Sequence, residues 1–253
     1  ALPVVKVSNG GADYMHWSGN GDALHWAMGP TVYTAQTKAF YPNGPLAKDA
    51  KPVKFAPPKD GVSLSMTVQS EHPTGLVAFT GARVVTMAAK DGGIIDNAVI
   101  LVENDRIKAV GKMGDFPIPA GAKTVDVTGK TIIPGLVDAH AHGPHGVDEM
   151  TPQQNWVNML NLAMGITTRH DPSSSAATVF PALEMQRAGL IIGPRSFSTG
   201  EIVYGAKSAD VYAEINGLDD ALAHVRRLKA QGAHSVKNYN QPRREQRQQV
   251  VAA

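Results

Sequence analysis

The sequence predicts an α/β protein that contains the first half of a (β/α)8 TIM barrel, preceded by β-rich segments. Three observations predict this fold class. Strand-like and helix-like segments alternate from residue 136 onward, as successive βα units require. Residues 75–135 contain β-branched runs separated by turns, and residues 1–36 contain aromatic strands around a glycine-rich turn. About four βα units fit after residue 136, whereas a complete barrel needs eight.

The composition is that of an ordinary globular protein. The chain has 253 residues, of which 43% are hydrophobic and 18% charged, with a net charge of +2. Because positive and negative charges are nearly balanced, nucleic acid and anionic membranes are not expected as partners. The basic run at 243–247 is best explained as a solvated helix face. There is no cysteine, which excludes disulfides and thiolate metal sites and leaves the cellular compartment open. No apolar run approaches the roughly 20 residues of a membrane span.

Residues 1–36 are predicted to form strands. Two aromatic runs, at 14–18 and 23–27, flank a Gly-Asn-Gly-Asp turn, and a third strand is expected at 31–34. The arrangement resembles one blade of a TolB-like or WD-type β-propeller. Because a single blade cannot bury its own faces, neighbouring blades are expected outside this chain; a simple β-rich extension is the alternative. Residues 37–74, rich in Lys, Pro and Gly, are predicted to be a linker with one strand near 62–68.

The next segment, 75–135, is predicted to be a small β-domain without catalytic residues. It begins with a strand at 77–85. One hairpin is expected from strands 98–102 and 106–110, and a second from strands 124–127 and 131–133.

Residues 136–253 are predicted to form the partial barrel. A strand at 136–140 precedes a helix near 153–163, and a strand at 166–171 precedes a helix near 180–188. A third strand near 195–199 precedes a helix at 218–231, and a fourth strand at 235–239 precedes a helix that starts after Pro242.

One motif carries the chemistry, Pro-Gly-Leu-Val-Asp-x-His-x-His at 134–142. Successive side chains of a strand point to opposite faces, so His140 and His142 project the same way, with Ala141 on the other side. Two imidazoles on one face at a strand end are well placed to bind one metal ion. The motif resembles the signature of the amidohydrolase superfamily, in which it ends the first barrel strand and supplies two metal ligands.

That resemblance implies several further features. Asp138 is expected to orient an imidazole through its second nitrogen, and 75–135 resembles the N-terminal portion of the β-sandwich that flanks the barrel in many members. The family's general-base Asp and two further His ligands lie on later strands, hence beyond residue 253. The chain lacks an initiator Met and stops within a predicted helix, so we expect it to be cut at both ends and inactive without the rest of the barrel.

Lys237 is the candidate third metal ligand. It follows a Gly-Ala-x-x-x-Lys pattern at the end of the predicted fourth strand. In binuclear amidohydrolases a lysine at this place reacts with carbon dioxide, and the resulting carbamate bridges two metal ions. The alternative is a solvent-facing or phosphate-binding lysine.

Five further residues are candidates for the substrate pocket. They are His145, His170, Asp171, Tyr204 and Tyr239, which lie at or just after the carboxyl ends of the predicted strands, the face on which barrel sites lie. Solvation of a loop, capping of the following helix and core packing are the alternatives for these positions.

The predicted function is a metal-dependent hydrolase that cleaves a C–N bond in an amide, cyclic amide or dipeptide, with one or two divalent ions, zinc by default. The segment around Lys237 is similar to imidazolonepropionase- or prolidase-like hydrolases preceded by a TolB-like propeller, which favours an exported or periplasmic bacterial enzyme. Small-molecule or peptide-like substrates and the missing half of the barrel are the expected partners, and an oligomer stays open. A mononuclear imidazolonase or deaminase, or a non-catalytic scaffold, is the alternative.

Overall fold

The computed structural model describes residues 4–8, 10–42, 53–88, 92–146, 150–207 and 212–253. The strands are β1 (Asp13–Trp17), β2 (Ala23–Met28), β3 (Thr31–Gln36), β4 (Val62–Ser63), β5 (Leu76–Val85), β6 (Ile94–Glu103), β7 (Arg106–Lys112), β8 (Lys123–Asp126), β9 (Thr131–Ile132), β10 (Leu136–Asp138), β11 (Ile166–Asp171), β12 (Arg195–Ser198), β13 (Ile202–Tyr204) and β14 (Tyr212–Glu214). The helices are α1 (Thr37–Phe40), α2 (Trp156–Ala163), α3 (Ala176–Arg187), α4 (Leu218–Gln231) and α5 (Arg244–Ala252).

The first sheet is antiparallel, in the order β1-β2-β3-β4. Its buried side chains include Leu24, Trp26 and Phe40, which form one apolar cluster. Part of the predicted linker therefore belongs to this sheet, because α1 and β4 fall within 37–74; residues 43–52 of that linker lie outside the described residues. Four antiparallel strands match the size of one propeller blade, and the assignment to a propeller stays a prediction.

The second sheet has the order β7-β6-β5-β8, with β9 also paired to β5. The predicted hairpin of β6 and β7 is present, but the predicted hairpin of β8 and β9 is wrong, because both strands run parallel to β5. The turn between them packs on Gly81, which has φ +82° and sits against Thr128 where a side chain would collide. Whether this sheet forms one layer of a sandwich stays a prediction.

Parallel strands alternate with helices after residue 136. The strands β10, β11 and β12 pair in chain order, with α2 and α3 between them in the sequence. This is the arrangement of successive units of a (β/α) barrel. The predicted fourth strand is reduced to a single parallel bridge between Val203 and Asn238. The Gln241 side chain instead binds the carbonyl of Val203 and the amide of Gly205, both at 2.7 Å, and so replaces strand hydrogen bonds there.

The two sides of the parallel sheet differ in burial. Helix α3, which packs on β12, buries Val179, Phe180 and Leu183, and the separate sheet of β13 and β14 packs with α4 and α5 around Val203 and Leu228. On β10, by contrast, Leu136 is 50% exposed and Val137 67% exposed. No helix in the described parts of the chain is long and apolar enough to cross a membrane.

Candidate metal centre

The two histidines of the motif lie together just beyond β10. The chain continues alongside β11 there, since the Ala141 amide donates to the His170 carbonyl at 2.9 Å. Ala141 is buried, while His140 and His142 are exposed, with ring centroids 5.0 Å apart and planes at 75°. The two imidazoles therefore stand side by side, as two ligands of one metal ion must.

Close packing against β11 explains the glycine of the motif. A side chain on Gly135 would collide with Thr167, and the Leu136 amide donates to the Gly165 carbonyl at 2.8 Å. On the far side of the histidines, Asn155 caps α2 and its amide donates to the Pro144 carbonyl at 2.6 Å. The segment that carries the histidines is thus attached at both ends.

The carboxylate of Asp138 contacts a backbone amide and not the imidazole that the sequence suggested. Its Oδ1 accepts the backbone amide of His140 at 3.0 Å, which fixes the turn of the chain. The carboxylate that meets an imidazole is that of Asp171, whose Oδ1 lies 3.2 Å from Nδ1 of His142. The orienting role that the sequence suggested for Asp138 is therefore better suited to Asp171.

Asp171 and His145 are bonded to each other beneath the surface. They are 1% and 4% exposed, and His145 Nε2 lies 2.8 Å from Asp171 Oδ2. Burial raises the pKa of Asp171, but hydrogen bonds from His145 and from the Ser173 amide outweigh burial and hold that pKa below its usual value. Both residues were predicted to line the substrate pocket, and the structure places them behind the histidine pair instead.

Arg169 completes this buried group and was missed by sequence reasoning. It is 1% exposed, donates from Nε to Ser196 Oγ at 2.9 Å, and has Nη2 3.5 Å from His145 Nδ1. Burial lowers the pKa of its guanidinium, and the charges of Asp171 and Asp138 act in the opposite direction. Strand alternation was the available signal, because residues 169 and 171 share one face of β11 while His170 lies on the other.

The other candidate residues lie around the ends of β11 and β13. His170 Nε2 meets Ser235 Oγ at 2.8 Å. Tyr204 and Tyr239 stack edge to face at 6.0 Å between centroids, and the Nζ of Lys237 lies 5.3 Å from the centre of the Tyr239 ring. Lys237 thus makes a cation–π contact with this aromatic cluster.

The donor set fits a metal ion in part. Two exposed imidazoles with a carboxylate behind one of them are typical of a divalent transition-metal site. Within the described ranges, no group of three or more His, Asp or Glu side chains is arranged to hold an ion. His140 and His142 are therefore suited to supply two ligands, and any others must come from Lys237, water or residues outside the described set.

Sequence comparisons show which known enzymes this chain is similar to. No family model matches the chain. The chain is 41% identical over 80 residues to an imidazolonepropionase of Sphingopyxis alaskensis, a match covering 32% of this chain. It is 28% identical over 169 residues to a dihydroorotase of Geobacter sulfurreducens, covering 64% of this chain. These matches confirm the resemblance to the amidohydrolase superfamily.

A solved structure of a Xaa-Pro dipeptidase shows the same fold over part of its length. The TM-score is 0.51 at 19% identity, covering 64% of this chain and 46% of that one. The two curated relatives are covered over only 18% and 35% of their own lengths. The chain thus corresponds to a minor part of each relative.

Proposed function

We propose that this chain is part of a metal-dependent hydrolase that cleaves a C–N bond in an amide, a cyclic amide or a dipeptide. The observation that carries the proposal is the adjacent pair His140 and His142 at the carboxyl end of the first barrel strand, with Asp171 behind it. The names of the relatives support the reaction class, since an imidazolonepropionase, a dihydroorotase and a dipeptidase all act on C–N bonds.

The residues of this chain have distinct roles in that reaction. His140 and His142 would hold a divalent ion through imidazole nitrogens, and zinc is the default for such ligands. A bound ion supplies Lewis acidity and lowers the pKa of bound water toward neutrality. Asp171 accepts the Nδ1 proton of His142, and Asp138 fixes the backbone of His140. His170, Tyr204 and Tyr239 are proposed to line the substrate pocket at the same end of the strands.

A binuclear site would require Lys237 as a further ligand. Its neutral amine would form an N–C bond with carbon dioxide and release one proton, which leaves an anionic carbamate. The cation–π contact of Lys237 with Tyr239 gives this side chain a partner other than a metal ion, and this observation supports the mononuclear alternative, in which Lys237 has no ligand role.

We propose that catalysis needs more strands of the barrel than the three that pair in this structure. The parallel strands β10, β11 and β12 account for three of the eight strands of a barrel. A general base and further histidine ligands are expected from the remaining units. We propose that this chain alone is inactive toward small-molecule or peptide-like substrates, and that the whole enzyme is exported or periplasmic.

Metal stoichiometry tests the proposal. The chain is loaded with Zn²⁺, desalted and measured by elemental analysis beside a His140→Asn/His142→Asn double variant, with His72→Asn, an exposed histidine, as matched control. Two ions per chain, lost on Lys237→Ala or on removal of carbon dioxide, would support the binuclear site. One ion insensitive to Lys237 would support the mononuclear site. Equal zinc in wild type and double variant would refute the metal site and leave a non-catalytic scaffold.

A further inference from the structure

A file of polar side chains runs from the buried Arg169 to the exposed His142. It consists of Arg169, His145, Asp171 and His142, each within 3.5 Å of the next. We propose that Arg169 and His145 set the direction of these hydrogen bonds, so that Asp171 holds His142 with its proton on Nδ1 and its Nε2 free to bind a metal ion. The metal-binding half of this inference rests on the proposed function, whereas the tautomer does not.

The donor-to-acceptor direction of these hydrogen bonds is set first at Arg169. A guanidinium has five N–H donors, no acceptor, and stays protonated in proteins. The Nδ1 of His145, 3.5 Å from Arg169 Nη2, therefore faces a group that only donates. Because Nδ1 must act as the acceptor, the proton of a neutral His145 lies on Nε2.

His145 passes this direction on to Asp171. Its Nε2 is 2.8 Å from Asp171 Oδ2, a good donor-to-carboxylate distance. An ionised carboxylate only accepts, and the Ser173 amide, which can only donate, already faces this carboxylate. Oδ1 is left to accept from the Ser173 amide at 3.0 Å and from His142.

His142 lies at the end of the file. Its Nδ1 is 3.2 Å from Asp171 Oδ1, so Nδ1 must carry a proton to make this hydrogen bond. In a neutral imidazole the other nitrogen then has a free lone pair. The His142 side chain is 52% exposed, while Arg169, His145 and Asp171 are nearly inaccessible. The file therefore leaves Nε2 of this exposed side chain unprotonated, which is the form a metal requires.

Burial makes this control effective. Hydrogen bonds are electrostatically stronger in a low-dielectric interior than at the surface, and a buried donor without an acceptor is costly. Reversing the file would point a lone pair of His145 at Asp171 and leave Arg169 without this acceptor. Asp171 is accordingly a positioning residue for His142, and Arg169 and His145 in turn position Asp171.

Long-range ¹H–¹⁵N correlation NMR on the metal-free chain tests the tautomer directly. The two ring nitrogens of a neutral histidine have distinct ¹⁵N shifts, so spectra recorded at pH 8 show which nitrogen carries the proton. The chain has nine histidines, so His142→Gln assigns the signal of His142 by its disappearance. We expect Nδ1–H for His142 in the wild type. A wild-type His142 protonated on Nε2 would overturn the inference without any variant.

Variants then separate positioning from simple structural support. Asp171→Asn has an amide that either donates or accepts, and should lose the pure Nδ1–H signature of His142 and weaken zinc binding about 10- to 100-fold. His145→Leu should weaken zinc binding, and His145→Gln, which keeps an N–H donor for Asp171, should restore it. Unchanged tautomer and zinc affinity in both Asp171→Asn and His145→Leu would overturn the inference.

The two readouts keep this inference distinct from the proposed function. Zinc affinity is measured by competition with a chromophoric chelator on the same samples. Zinc bound by the wild type and equally by Asp171→Asn would refute positioning and leave the metal site intact. An Nδ1–H tautomer that depends on Asp171, in a chain that binds no zinc, would support the file and refute the metal-dependent function.

Discussion

Two neighbouring strands of the same parallel sheet, β10 and β11, have opposite environments. β11 lies between β10 and β12, and its Arg169 and Asp171 are each 1% exposed. β10 lies at the edge of the described sheet, and its Leu136 and Val137 are largely exposed. Yet the candidate metal ligands follow β10, whereas Asp171, which contacts His142, belongs to β11. The buried strand β11 thus supplies the carboxylate that contacts an imidazole, and the exposed strand β10 leads into the two histidines.

The first prediction should show this difference most strongly. Arg169→Met removes a buried cation, leaves Ser196 and His145 without its N–H donors, and takes away a positive charge that acts on the buried Asp171, so the free energy of unfolding should fall by about 3–5 kcal/mol. Arg195→Met, on the exposed side of β12, is the matched control and should change it by about 0.5 kcal/mol or less. Urea denaturation measures both, and similar losses would contradict the comparison.

The helices should repeat the contrast between the strands. Leu183→Ala in α3 empties a buried position and should cost about 2–5 kcal/mol. Met159→Ala in α2 changes a residue that is half exposed and should cost about 0.5 kcal/mol. Thermal and urea unfolding of both variants measure the difference. If Met159→Ala cost as much as Leu183→Ala, α2 would be buried in solution by a surface that this structure does not describe.

A valine-to-threonine pair tests the strands themselves. Val203→Thr puts a hydroxyl into a fully buried position on β13 and should cost about 1–3 kcal/mol. The same change at Val137 on β10 keeps the β-branched shape at an exposed position and should cost about 0.5 kcal/mol at most. Denaturation midpoints with unchanged m-values give both costs, and a larger loss at Val137 would show that β10 is covered in solution.

The smallest expected effect is a pH dependence of the free energy of unfolding, caused by His224 in α4. Burial, and then the charge of Arg227, hold the pKa of His224 below its ordinary value of 6.5. The folded state therefore binds this proton more weakly than the unfolded state, so the stabilising contribution is present above pH 6.5 and is lost as the pH falls toward the lower folded pKa.

His224→Gln is the control for that titration. Glutamine keeps an N–H donor for the Glu214 carbonyl, which His224 Nε2 contacts at 3.1 Å, and does not titrate. As the pH is lowered from 7.5 to 5, the unfolding free energy of the wild type should fall relative to that of the variant. The size of this fall is set by the difference between the folded and unfolded pKa of His224. A constant difference would show that the folded pKa of His224 is not lowered.

Local patterns predicted much of the barrel half. The strand 166–171 and the helix 218–231 were placed with the bounds that the structure gives, because alternation and amphipathic spacing are strong there. The fourth strand was predicted at 235–239 as the next strand of the βα alternation, but the Gln241 side chain takes the backbone partners that a longer strand would need. A hydrogen bond between a side chain and a backbone segment far away in the sequence leaves no trace in the periodicity of hydrophobic residues.

The site was predictable where residues share a strand, and not where strands meet. His140 and His142 follow from side-chain alternation within one segment. Which carboxylate serves an imidazole depends on how β10 and β11 lie against each other, and that packing assigns the contact to Asp171 instead of Asp138. Arg169 was missed because an arginine in a strand reads as exposed unless its buried partners, Ser196 and His145, are known.

The most direct measurement is the position of a bound ion in a zinc-loaded crystal of this chain, from anomalous diffraction at the zinc edge. The account predicts a peak about 2.0–2.1 Å from Nε2 of His142 and from one nitrogen of the His140 imidazole. A peak bound to Nδ1 of His142, or a zinc-saturated chain with no peak between these two histidines, would contradict it.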